Sequence, residues 1–238
     1  MDDRKTVLPP PEQKRGYVRR MFTAIAPHYD LMNRLMTLGQ DQGWRRRVVD
    51  LCALPRGGRM LDVATGTGDI AYEALRRDPS ARVVGLDLTR EMMLAGRGKH
   101  AGQHFPFAEG DALALPFPDG VFDAACSGFM MRNVVDVAAA FAEQARVVKP
   151  GGRVVCLEIT RPANRAFRWV FDLYFFRLVP FAGGLISGER EAYTYLPQST
   201  VAFPNPARLR EIMMAAGLHN VYYRRAMLGT IAIHWGIK

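Results

Sequence analysis

Apolar and polar positions follow two different rhythms along this 238-residue chain. From Lys14 to Leu54 apolar residues recur at helical spacing, with breaks at Pro27 and around Gly39–Gly43. After "PRGG" at 55–58 short apolar runs alternate with amphipathic segments. The runs at 59–64, 82–88, 104–108, 122–127 and 153–159 predict strands, and 69–77, 90–99 and 136–148 predict the helices between them. That alternation implies an α/β fold of βαβ units, with a mostly parallel sheet covered on both faces. "KPGG" at 149–152 stops a helix and turns the chain. The closing "NVYYRRAMLGTIAIHWGIK" predicts two strands joined around Leu228–Gly229, an antiparallel hairpin at one sheet edge.

The segment 160–200 departs from this alternation. A helix there carries Phe167, Val170, Phe171, Tyr174, Phe175 and Leu178 on one face, and Trp169, Leu173 and Phe176 on a second. A helix apolar nearly all round is buried on more than one side, lines a greasy site or faces lipid. Arg168, Asp172, Arg177 and Pro180 interrupt the apolar stretch Phe167–Ile186, which argues against a spanning helix. The whole chain reads as a tail over 1–13, ending in "PPPEQ", and one domain over 14–238.

Composition narrows the picture slightly. The net charge of +9 favours anionic partners, although an arginine-rich solvated surface gives the same balance. Three scattered cysteines, Cys52, Cys126 and Cys156, show no metal-ligand spacing and fit a reducing compartment. The N-terminal twenty residues have no apolar core of a secretory signal, so a cytoplasmic location is expected.

The chemistry starts at "LDVATGTGD", residues 61–69. Asp62 stands in a buried strand that runs into Gly66-Thr67-Gly68. In open α/β sheets ligands lie beyond the carboxyl ends of the strands, and glycines there let a ligand approach the backbone. Asp87, closing the second strand, can accept both hydroxyls of a ribose. Asp111, in "EGDALALPFPD", can accept an adenine amino group. Gly66-x-Gly68-x-x-Ala71 also satisfies a dinucleotide fingerprint. Asp62 argues against it, because a pyrophosphate would meet a negative charge, whereas the ammonium and sulfonium of S-adenosylmethionine (SAM) would be favoured.

These motifs, with "ARVVKPGG", resemble the class I SAM-dependent methyltransferases. "YDLMNRLMTLGQDQGWRRR" at 29–47, "RNVVD" at 132–136, "RVVKPGGRVVCLEIT" at 146–160 and "GEREAYTYLPQSTVAFPNPARL" at 188–209 resemble the ubiquinone/menaquinone biosynthesis C-methyltransferase family. The likeness runs over about residues 15–230. Asp41 and Gln42 replace the family's His-Arg, Thr37 replaces its Ser, and "GFMMRN" replaces its Gly-Leu-Arg-Asn ending. The resemblance implies a Rossmann-like, seven-stranded, mostly parallel sheet with an antiparallel edge hairpin. It makes 14–54 a helical cap on the substrate side and 160–200 a helical insert lining a hydrophobic mouth. It also implies SAM as methyl donor, a prenylated quinol as acceptor and peripheral contact with an anionic membrane surface, and it admits a homodimer.

Carried over by position, the SAM contacts fall on Thr67, Asp87, Asp111 and Ala112, with Gly128 and its neighbour Ser127 after the fourth strand. Methylation at a ring carbon needs an ionised ortho hydroxyl, hence a reduced ring and a group that holds the phenolate. Arg132 and Asn133, at the sheet's carboxyl edge, are the first candidates, followed by His28, Tyr29 and Asp30. Nucleic-acid methylation is disfavoured. The position after the fourth strand holds "SGFMMRN" rather than an Asn/Asp-Pro-Pro-aromatic run, and no cysteine follows a proline. Another small-molecule methyltransferase, and a noncatalytic SAM-binding subunit, stay open on the sequence alone.

Overall fold

The computed structural model describes residues 6–97, 99 and 103–238. Three helices open the chain: α1 (Pro11–Ile25), α2 (Tyr29–Thr37) and α3 (Asp41–Cys52). Pro11 starts α1, where a missing backbone N–H costs nothing. Residues 11–13 are therefore helical rather than part of the tail. The preceding backbone is held too, because Val7 N–H donates to Gln198 Oε1 at 2.9 Å. A short 3₁₀ turn at Ala26–His28 realises the break at Pro27, and left-handed Leu38 and Gly39 separate α2 from α3.

The alternating region then runs β1 (Arg59–Val63), α4 (Asp69–Arg77), β2 (Arg82–Asp87), α5 (Arg90–Gly96), β3 (Phe107–Glu109), β4 (Phe122–Gly128), α6 (Val137–Val147) and β5 (Val148–Ile159). Four insert and edge helices follow: α7 (Arg165–Leu173), α8 (Val179–Ser187), α9 (Arg190–Ala202) and α10 (Pro206–Ala215). The hairpin β6 (His219–Ala226) and β7 (Ile231–Ile237) closes the chain. The sheet order is β3-β2-β1-β4-β5-β7-β6, parallel except where β7 pairs antiparallel with both β5 and β6. The seven-stranded sheet and its edge hairpin agree with the sequence reading. Boundaries differ in places, and α5 ends at Gly96 instead of 99. The third strand starts at Phe107 instead of 104, and α6 passes into β5 at Val148, so "KPGG" lies in the strand's first residues with Gly151 at φ +79°.

Each sheet face has its own core. Phe141, Val147, Leu209 and Met213 cover one side, from α6 and α10. Trp44, Val48, Tyr72 and Leu75 cover the other, from α3 and α4. A third apolar cluster lies off the sheet, where Ile25 and Met32 of the N-terminal helices meet Phe171, Phe175, Val179 and Tyr193 of the insert. A π turn at Tyr174–Leu178 joins α7 to α8. Asn164 caps α7 by accepting from Ala166 and Phe167 N–H. Chain order reverses between β1 and β4, and their carboxyl ends diverge there into a crevice roofed by α1, α2 and the insert.

Candidate active site

The crevice holds two cavities that share a wall. The first follows the carboxyl ends of β1, β2 and β4 and is lined by Gly66, Asp87, Asp111, Ala112, Gly128 and Asn133, with Arg15, Val18 and Phe22 of α1 across from them. Gly66 and Gly68 turn the loop at φ +57° and +84°, a region costly for other residues. A Cβ on Gly68 would stand 2.8 Å from Phe105. Asp87 organises the loop: its Oδ2 accepts from Gly66 N–H at 2.7 Å and its Oδ1 from Thr89 N–H at 2.8 Å. Burial raises the Asp87 carboxyl to about 6 against these two donors. Each oxygen keeps a lone pair for a ribose hydroxyl. Asp111 accepts from Leu113 N–H and pairs with Arg15 Nε at 2.9 Å, so α1 reaches over this end of the cavity.

A polar extension continues behind the glycine loop, lined by Asp62, Thr65, Thr67, Asp69, Arg45, Tyr29 and Phe129. Asp62 is buried, and burial raises it to about 6 against hydrogen bonds from Thr65 Oγ1 and Cys126 Sγ. An ammonium beside it would return it to the ionised form. Arg45 donates to Asp41 and pairs with Asp69 at 3.1 Å. Burial would raise the Asp69 carboxyl, but Arg45 and Lys99 outweigh it and hold it below its ordinary value. Thr67 Oγ1 donates to Asp30 Oδ1 at 2.7 Å, and Asp30 also pairs with Lys99. These groups fit the zwitterionic end of SAM, and the glycine loop and two aspartates fit its nucleoside.

The second cavity is larger, about 650 Å³, and lies in the third core. Ile25, Met32, Met36, Phe171, Phe175 and Ile186 supply apolar walls. Phe22, Tyr29, Phe129 and Asn133 line both cavities, so the two meet at these side chains. Arg132 is on the second cavity's wall, in a 3₁₀ turn at Met131–Asn133. Its Nη1 donates to Phe129 O at 2.7 Å and to Glu158 Oε2 at 2.9 Å. Burial raises the Glu158 carboxyl, and Arg132 offsets that only in part. Arg132 Nε, Asn133 Oδ1, Tyr193 Oη and Tyr195 Oη are buried without a hydrogen-bond partner among the described residues.

The structure therefore brings together Asp62, Gly66, Thr67, Asp87, Asp111, Ala112, Gly128, Tyr29, Arg132 and Asn133. Gly68 stands just behind, as the start of α4. Three further candidates fall outside the cavities' walls. Ser127 is fully buried beneath Gly128. Asp30 is engaged by Thr67 and Lys99. His28 ends the 3₁₀ turn before α2. Sequence reasoning missed Arg45, Glu158 and Tyr195. Arg45 follows Asp41 at i+4 on one helix face, a readable signal. Glu158 is an acid inside the apolar run "VVCLEI", the same anomaly that drew attention to Asp62.

A topological-switch crevice, an acid-bearing glycine loop and acids after β2 and β3 define a class I SAM-dependent methyltransferase. The structural neighbours share this fold. A SAM-dependent methyltransferase of Thermotoga maritima superposes with a TM-score of 0.63 at 18% identity, covering 92% of this chain and 99% of the other. The [4+2]-cyclase SpnF superposes with a TM-score of 0.62 at 18% identity, covering 98% and 97%. The chain belongs to the ubiE/COQ5 methyltransferase family, whose profile matches residues 11–238. It is 52% identical to a demethylmenaquinone methyltransferase of Roseiflexus castenholzii, over 98% of each chain. It is 50% identical to one of Thermus thermophilus, over 91% of this chain and 99% of the other. It is 45% identical to a ubiquinone/menaquinone biosynthesis C-methyltransferase of Desulfotalea psychrophila, over 93% and 90%. The protein is thus a SAM-dependent C-methyltransferase of quinone biosynthesis.

Proposed function

We propose that this chain methylates a ring carbon of a prenylated quinol, with demethylmenaquinol as the acceptor its relatives' names favour. The carrying observation is the apolar cavity of about 650 Å³ that meets the nucleoside pocket at Phe22, Tyr29, Phe129 and Asn133. A prenyl chain fits its walls, and a ring at the shared wall would face the methyl donor. SAM supplies an electrophilic methyl whose leaving group is neutral, so this chain need stabilise no developing anion there. Its residues work on the acceptor instead. Arg132 offers Nε–H to a ring oxygen and favours its ionised form, which pushes charge to the ortho carbon. Glu158 holds the guanidinium in place and neutralises it in the empty site. Tyr29 and Phe129 close the junction against water.

The cavity mouth meets an apolar surface. Leu35, Leu38 and Leu178 line the cavity and are also exposed. Trp169 and Leu185, on the outer side of α7 and α8, are 70% and 76% exposed. Arg165–Ser187 is long and apolar enough by length and composition to cross a membrane. Phe171, Phe175 and Val179, however, bury one side of it in the third core. The exposed side, with exposed Arg34 on α2, Arg165 on α7, Arg177 in the π turn and Arg190 on α9, suits an anionic lipid surface from which the prenyl tail enters. A strain lacking this protein should accumulate the desmethyl quinone, and the wild-type gene should clear it. Normal methylated quinone in that strain would overturn the assignment.

A further inference from the structure

Five side chains on the large cavity's wall carry a buried polar atom without a hydrogen-bond partner among the described residues, Asn33 Nδ2 and Tyr193 Oη among them, and three of the five group around Arg132. Arg132 Nε, Asn133 Oδ1 and Tyr195 Oη are buried, line the cavity through their residues, and have no hydrogen-bond partner among the described residues. A buried polar atom left bare is costly, so several beside one cavity point to a ligand that satisfies them. They come from two elements that pack together, the turn Met131–Asn133 and α9. The Arg132 charge acts on the Tyr195 hydroxyl.

Their chemistry is specific. Arg132 Nε–H only donates. Tyr195 Oη donates or accepts; burial pushes its pKa up to about 12, so it stays protonated at neutral pH. The Asn133 amide has a fixed orientation. Its Nδ2 donates to Phe129 O at 3.1 Å, a carbonyl that can only accept, which leaves Oδ1 as the bare acceptor. Two donors and one acceptor complement a hydroxyl, which donates once and accepts twice. They do not complement a carbonyl, which only accepts.

We propose that Arg132 Nε, Tyr195 Oη and Asn133 Oδ1 form one seat for a ring hydroxyl of the acceptor, and that Asn133 Oδ1 makes this seat select the reduced ring over the oxidised one. The inference rests on the proposed function and extends it to redox selection and to Tyr195. In the bound ground state a quinol hydroxyl donates to Asn133 and accepts from Arg132 and Tyr195; when it ionises for methyl transfer it gives up the bond to Asn133 and is held by the two donors. A quinone carbonyl satisfies the two donors but sets its oxygen against Asn133 Oδ1, two acceptors facing each other in a dry site. The oxidised ring cannot supply a phenolate, so discrimination at this atom keeps unreactive quinone out of the cavity.

The test uses the full chain saturated with S-adenosylhomocysteine, under anaerobic conditions. The probes are a one-isoprene 1,4-naphthoquinol lacking the ring methyl, kept reduced, and the corresponding quinone. Wild type should bind the quinol about 10- to 100-fold more tightly than the quinone, the worth of one stranded acceptor. Asn133→Leu should bring that ratio close to one, mainly by weakening quinol binding; because Asn133 also lines the nucleoside cavity, the ratio is read with each variant saturated with S-adenosylhomocysteine. Tyr195→Phe, nearly isosteric, should lower kcat/KM for the quinol roughly tenfold while largely keeping the quinol–quinone ratio. Equal binding of the two redox forms by wild type, or an unchanged ratio in folded Asn133→Leu, overturns the redox selection. Wild-type kcat/KM in Tyr195→Phe removes that residue from the seat. If wild type binds S-adenosylhomocysteine but neither probe, the proposed function itself fails.

Discussion

Arg132 sits where a structural and a chemical role overlap, and a pair of variants can separate them. In Arg132→Ala, Glu158 loses its Nη1 donor at 2.9 Å and keeps only its backbone contacts. Breaking one side of a buried ion pair costs about 3–5 kcal/mol, and part of that returns if Glu158 takes up a proton. Burial already biases Glu158 toward the protonated form. Arg132→Ala should therefore be both destabilised and slow, which alone proves little. Replacing the whole pair, as Arg132→Met with Glu158→Leu, removes both charges at once. Such swaps are often neutral in stability, within about 1–2 kcal/mol. Turnover should still fall by roughly 10²–10³-fold, because the donor to the ring oxygen is gone. Raising the pH should recover part of the loss, since hydroxide then ionises the quinol unaided. The assays are urea unfolding and single-turnover transfer to a reduced, short-tailed quinol between about pH 6 and 9. A double variant with near-wild-type turnover would confine Arg132 to bracing the loop. A slow double variant without pH rescue would replace charge stabilisation with substrate positioning.

SAM affinity should be flat above about pH 7 and fall below about pH 6, by up to tenfold per pH unit per group, as Asp87 and Asp62 protonate. Stability of the free chain should respond oppositely to these two groups. Their folded pKa values, each about 6, lie above the unfolded ones, so the stability they contribute is full below about pH 4 and is lost as pH rises through 6. Calorimetric titration and thermal melts of wild type and Asp87→Asn check both signs; a SAM affinity unchanged between pH 7 and 5 would refute the first. Asp87→Ala should weaken SAM by about 2–4 kcal/mol, and more than the ribose contacts require, because Gly66 N–H also loses its anchor at 2.7 Å. Trp169→Glu with Leu185→Glu should lower co-sedimentation with anionic vesicles at low salt while leaving SAM binding intact. Equal recovery with and without the substitutions would move the membrane contact elsewhere.

The sheet was legible because a parallel core forces continuous apolar runs and helical spacers, and the glycine loop because only glycines and a nearby acid serve that turn. Asp87 and Asp111 could be placed for the same reason: strand ends map directly onto the crevice. What stayed hidden depends on distant pairing. Glu158 meets Arg132 only because β5 lies beside β4, and Tyr195 reaches the site only through the fold of the insert. Ser127 and Gly128 show the limit at single-residue resolution, since successive strand residues point to opposite faces. Asp30 is a polar candidate in the sequence, and its pairing with Lys99, far along the chain, comes only with the fold.

The most direct test of the account is methyl transfer itself. The full chain, anaerobic, would receive isotope-labelled SAM and a one-isoprene naphthoquinol without the ring methyl, with the product identified by mass spectrometry and NMR. Label should appear at the ring carbon ortho to a hydroxyl, and none should transfer when the ring is supplied oxidised. Label on the hydroxyl oxygen, or no transfer to the reduced ring by a chain that binds SAM, would contradict it.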